Sequence, residues 1–135
     1  MKKIMLQATI DNLHQVQQFI EAQMEEKECS MKGQMQVSVA TEEIYVNIAR
    51  YAYAPDTGKV MVSCDIQGAP PTVRISFEDE GIPFNPLLVK EADTTLSAED
   101  RKIGGLGILM VRKSMDEVLY EYKDGKNILT LVKQC

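Results

Sequence analysis

The 135-residue chain holds a single histidine, three cysteines, no run of basic residues and no long apolar stretch. Each shortage closes a class of function. Nothing in it spans a bilayer. With no basic run, and acids and bases interspersed to a net charge of −5, nothing attracts a nucleic-acid backbone or an anionic membrane surface. Two lysines open MKKIMLQATI as they would an export signal, but Gln7, Thr9 and Asp11 interrupt the apolar run behind them, so the export reading fails. The cysteines, Cys29, Cys64 and Cys135, are odd in number and form no CxxC pair. Neither a disulfide framework nor a zinc site is expected, and a reducing cytoplasm fits best. Cys64 reads as a small core residue and Cys135 as a tail. His14 reads as a helix-surface histidine, not a phosphoacceptor.

Known nucleotide motifs are missing as well. GxxxxGK[ST] does not occur. Gly104-Gly105-Leu106-Gly107 has no third glycine at Met110 and no strand directly before it, which excludes a dinucleotide fingerprint. There is no internal repeat, low-complexity segment or linker.

What remains is an ordinary globular composition, 44% apolar and 26% charged. One domain over 1–135 is expected, long enough to bury roughly two-thirds of its unfolded surface. Residues 3–9 read as a strand. A helix capped by Asp11 runs through Glu28, with Leu13, Val16, Phe19, Ile20 and Met24 at helical spacing. Met31–Gly33 reads as a break, and a second helix runs from Gln34 to Tyr53, before Pro55. Met24, Met31 and Met35 serve either as core filling or as a partner surface. Residues 59–66 and 72–78 read as a hairpin and 79–86 as a loop. Residues 92–103 lack apolar periodicity and read as mobile. Gly104–Gly107 opens a helix through Met115. Strands 117–123 and 126–133 flank the turn Asp124-Gly125, and Tyr120 and Tyr122 face solvent or a partner. The fold class is α+β: a two-layer sandwich with helices on one face of a mixed, mostly antiparallel sheet.

Three local patterns suggest chemistry. On the second helix Glu43, Asn47 and Arg50 share a stripe. Val39 and Val46 border it on one side, and Ala40, Ile44, Ile48 and Tyr51 on the other. A carboxylate and an amide enclosed by apolar neighbours need a cation or a nucleotide to satisfy them; the alternative is a solvated face. Asp79 follows Val73, Ile75 and Phe77 in alternation, which carries it to the apolar side of its strand. There it needs a donor such as the exocyclic amine of adenine, and Gly81 lets the backbone pass close to a flat ring. The alternative is a simple acidic turn. Gly104–Gly107 exposes backbone N–H groups at a helix start, which suits phosphate; the alternative is a hinge.

Order and spacing combine these patterns. Glu43 through Tyr53, Asp79 through Pro86, and Gly104–Ile108 through Met115-Asp116 resemble the GHKL ATPases, a group that includes histidine kinases and gyrase-type ATPases. Among these the chain is most similar to the stand-alone anti-sigma factor serine/threonine kinases. The resemblance implies ATP and Mg2+ as cofactors, Glu43 as catalytic base and Asn47 as magnesium ligand. It implies Asp79 and Gly81 at adenine, and Gly104, Gly105 and Gly107 at phosphate. Arg50, Arg101 and Lys102 become candidate phosphate contacts, and 92–103 the lid. Two departures stand out: Pro83 replaces the second glycine of Asp-x-Gly-x-Gly, and Arg50 stands where relatives often carry histidine.

The resemblance further implies a cytoplasmic partner-switching kinase. Such a protein binds a sigma factor and phosphorylates a serine on a small antagonist protein, often as a homodimer. Two alternatives stand beside it: a nucleotide-gated binding module without useful catalysis, and an isolated ATPase domain whose output is hydrolysis.

Overall fold

The computed structural model describes residues 1–88 and 106–135. Among these residues five strands form one sheet: β1 (Lys2–Gln7), β2 (Lys59–Gln67), β3 (Thr72–Asp79), β4 (Glu117–Lys123) and β5 (Lys126–Gln134). Their order is β1-β2-β3-β5-β4, and all four pairings are antiparallel. The helices are α1 (Leu13–Glu26), α2 (Met31–Asn47) and α3 (Leu106–Ser114). The expected α+β sandwich is present. Its core lies between the helices and one face of the sheet.

Period-two burial selects that face. Val60, Val62, Cys64 and Ile66 of β2, Val73, Ile75 and Phe77 of β3, and Leu129 and Leu131 of β5 are buried. Each large side chain so buried stabilises the fold by about 1.5–3 kcal/mol. α1 meets it with Val16, Ile20 and Met24, and α2 with Val37, Ala40, Ile44 and Tyr45, stripes at helical spacing. Tyr45 ties α2 to the sheet edge by donating its hydroxyl to the Thr9 carbonyl at 2.6 Å. Of Met24, Met31 and Met35, the first fills the core while the other two stay exposed.

The first helix begins differently from the sequence reading. Asp11 sits inside a short 3-10 turn, Ile10–Asn12, and neither Thr9 nor Asn12 caps with its side chain. Met31–Gly33 is not a break but the first turn of α2, because Ser30 caps it, its hydroxyl accepting from the Gly33 amide at 3.0 Å. α1 ends on Glu28 in the left-handed region (φ 58°), with the Cys29 amide returning to the Met24 carbonyl at 3.0 Å. Gly33 is required for space: a Cβ there would collide with Cys135.

Cys135 is therefore not a free tail. It is joined to Cys29 in a disulfide, with Cα atoms 5.2 Å apart across 106 positions of sequence. The pairing was invisible without the fold, and the cysteine pattern no longer argues for a reducing compartment. Cys64 is free and buried, and its thiol is pushed up to about 11, chiefly by burial. No helix among the described residues is long and apolar enough to cross a membrane.

Candidate nucleotide site

α2 does not run as α-helix to Tyr53. After Asn47 it widens into a π-helical turn, Ile48–Ala52. The wider turn rotates later residues off the stripe that a continuous α-helix would give. Arg50 is consequently exposed, while Asn47, Ile48, Tyr51 and Ala52 line a cavity of about 220 Å³. Asp79, Ile82, Phe84, Ile108 and Leu129 contribute other parts of its lining. The walls are mostly apolar with a few convergent polar groups, as small-molecule sites are.

Asp79 takes the inward position on β3 that alternation demands and is 5% exposed. Its Oδ1 accepts from the Gly81 amide at 2.9 Å and from Asn127 Nδ2 at 3.0 Å. Oδ2 has no donor among the described residues. Burial raises the Asp79 pKa, opposed by these two hydrogen bonds, which favour the anion. A half-satisfied buried carboxylate in an apolar cavity fits an amine-bearing ring.

Gly81 has a packing role in the fold. A Cβ on it would strike the Ala52 carbonyl, and the next amide, Ile82, donates to that same carbonyl at 3.0 Å. The glycine lets the 79–84 loop dock on the π turn. Tyr53 clamps the loop from the other side: its hydroxyl donates to the Lys59 carbonyl at 2.6 Å and accepts from the Glu80 amide at 2.7 Å.

Gly107, in the first turn of α3, lies against Glu43, and a Cβ there would run into the Glu43 carboxylate. The fold thus brings Glu43 to the start of α3, and Asn47 and Asp79 to one cavity. Lys102, Gly104, Gly105 and the expected lid 92–103 lie outside the described residues.

Sequence reasoning passed over Asn127, Tyr53 and Tyr120. The parity that placed Asp79 could have found Asn127, an amide heading the alternation Asn127, Leu129, Leu131 on β5. Tyr120, expected to face solvent or a partner, is instead half-buried and donates to Asn127 Oδ1.

No curated protein matches the chain. The family model described as the histidine kinase-like ATPase domain matches residues 6–133. That span takes in every described strand and helix that builds the cavity, and the chain belongs to the histidine kinase-like ATPase domain family, whose members bind ATP.

Proposed function

We propose that the chain is a partner-switching serine/threonine-protein kinase that binds a sigma factor and phosphorylates a small antagonist of that binding. A sigma-factor partner would place it in the cytoplasm. The observation that carries the kinase reading is the contact of Glu43 with Gly107. It sets a half-buried carboxylate beside the helix start where phosphate would lie, within one turn of Asn47.

ATP would supply the phosphoryl group. Asp79 accepts the adenine amine and the apolar walls exclude water from the base. Asn47 offers an amide oxygen to magnesium, a cation that keeps several waters and needs few protein ligands. Glu43 takes the proton of the attacking hydroxyl, a role contributing on the order of 10²–10⁴-fold. The backbone amides of Gly104, Gly105 and Gly107, with Lys102, would neutralise phosphate charge, while Arg50, exposed on the π turn, stays outside the cavity lining.

The test is paired: calorimetry for nucleotide affinity, and phosphate labelling of proteins in a lysate from the source organism. Glu43→Ala should bind within a few-fold of wild type and transfer no phosphate. Asn47→Ala should lose both binding and transfer. Transfer at the wild-type rate by Glu43→Ala overturns the assignment. A wild type that binds ATP and a partner tightly yet never labels it is the nucleotide-gated binding module instead.

A further inference from the structure

Asn127 of β5 faces Asp79 of β3 in register and is 7% exposed. A carboxamide has two N–H donors and two acceptor lone pairs, and here all four are engaged. Nδ2 donates to Asp79 Oδ1 at 3.0 Å and to the Ile82 carbonyl at 2.9 Å. Oδ1 accepts from the Phe84 amide at 3.1 Å and from the Tyr120 hydroxyl. The partners fix the orientation. Turned over, the amide would set its oxygen against a carboxylate and its N–H groups against the Phe84 amide.

Resting on the nucleotide reading above, we propose that Asn127, held by Tyr120, is the positioning residue of the base site: it decides which oxygen of Asp79 meets the adenine amine and holds residues 81–84 as the cavity wall. Asn127 saturates Oδ1 together with the Gly81 amide, so Oδ2 is the oxygen left for the ligand. Without that donor the carboxylate is free to turn, and its charged form loses one of two stabilising hydrogen bonds. The side chain links three elements, since β4 supplies Tyr120, β5 the amide and β3 the carboxylate.

The groups around Asp79 define what a pH experiment reads. Glu78 and Glu80 flank it in sequence, Tyr53 and Tyr120 approach from neighbouring segments, and Lys59 and Lys126 line the adjoining cleft with it. Burial raises the pKa of both tyrosines, so they stay neutral near pH 7.

Asn127→Asp keeps the volume and both acceptor contacts but turns the donor facing Asp79 into an acceptor. Two carboxylates that close cannot both stay ionised, so one binds a proton well above the usual range. ADP affinity of this variant, measured by calorimetry, should fall at least about 10-fold at pH 8 and recover as the pH drops towards about 6, where the proton restores a donor. Wild-type affinity should stay level or fall over that interval. A merely structural residue would not reverse the sign of the pH dependence. Carboxyl NMR on the nucleotide-free protein supplies a second readout: Asp79 should titrate higher in Tyr120→Phe and in Asn127→Asp than in wild type. Tyr120→Phe, which removes one oxygen, serves if Asn127→Asp does not fold, with an affinity loss of about 2–5-fold expected. A wild type that fails to bind ADP while the NMR shifts appear would sink the nucleotide reading alone. Unchanged Asp79 titration in both variants, or wild-type affinity of Asn127→Asp at every pH, overturns the positioning role.

Discussion

The two ends of the β3–β5 ladder are built on opposite principles. At one end Asp79 faces Asn127, a carboxylate and an amide buried in a cavity wall. At the other Thr72 faces Gln134, and the next residue, Cys135, is covalently tied to Cys29 and packed on Gly33. The first end buries a carboxylate and an amide, and the carboxylate keeps one oxygen without a donor among the described residues, facing the cavity. The second shortens the unfolded chain's freedom and closes the layer, which stabilises it. α2 joins them, with Gly33 at the closed end and Asn47 at the open one. The candidate site thus lies at the polar, open end of the ladder, and the covalent staple at the other.

Removing the staple should have the largest effect. Cys135→Ser should lower unfolding free energy by about 2–4 kcal/mol, read by denaturant titration, with ADP affinity unchanged. Reduction of the wild type should reproduce this, because the buried Cys64 thiol takes no part. An unchanged midpoint after reduction would erase the contrast between the ends.

Asp79→Asn attacks the open end. Its carboxamide oxygen can keep both donors at Oδ1, and its N–H2 then meets the adenine amine, donor against donor. ADP affinity should drop about 100-fold, while the nucleotide-free variant should be no less stable than wild type at pH 7. The folded pKa of Asp79 lies above the unfolded value of about 3.9. Its contribution to stability is therefore fully present below that value and lost as pH rises through the folded pKa. The stability advantage of Asp79→Asn should accordingly shrink as pH falls towards about 4. A gap independent of pH would show that burial of the charge is not its source.

The two glycines of the open end should separate. Gly81→Ala drives a methyl into the Ala52 backbone and should cost about 1–3 kcal/mol. Gly107→Ala meets the carboxylate end of the Glu43 side chain rather than backbone. Its stability should stay within about 1 kcal/mol of wild type, yet displacement of Glu43 should slow phosphate transfer. Equal destabilisation by the two would mean that α3 is held as rigidly as the loop. The smallest effect lies between the ends, on α2. The Thr41 hydroxyl is buried with no partner among the described residues, and Thr41→Val should raise stability by about 1 kcal/mol.

Much of this molecule was written locally. Alternation placed Asp79 on the inner face of β3, since successive side chains on a strand must point to opposite faces. Helical spacing put Val16, Ile20 and Met24 of α1 and Ala40 and Ile44 of α2 in the core for the same kind of reason. Asp124 and Gly125 fixed the last hairpin, both with positive φ. Glu43, Asn47 and Asp79 could be singled out because a polar residue in an apolar pattern is visible in one dimension.

What the sequence could not carry depends on residues far apart in the chain. Gly33 looked like a helix breaker because its reason, Cys135, lies at the other end of the sequence. The packing of Gly81 on Ala52 was hidden because the two lie on different segments. The π turn, which leaves Arg50 outside the cavity that Asn47 lines, has no mark in residue spacing. Asn127 earns its role only from four partners on three segments. Local backbone preference and burial parity are properties of a short stretch, so the sequence determined the elements, their inward faces and Asp79. Close approach and hydrogen-bond saturation are properties of pairs, so only the tertiary structure decided the disulfide, the glycine contacts and the amide that holds Asp79.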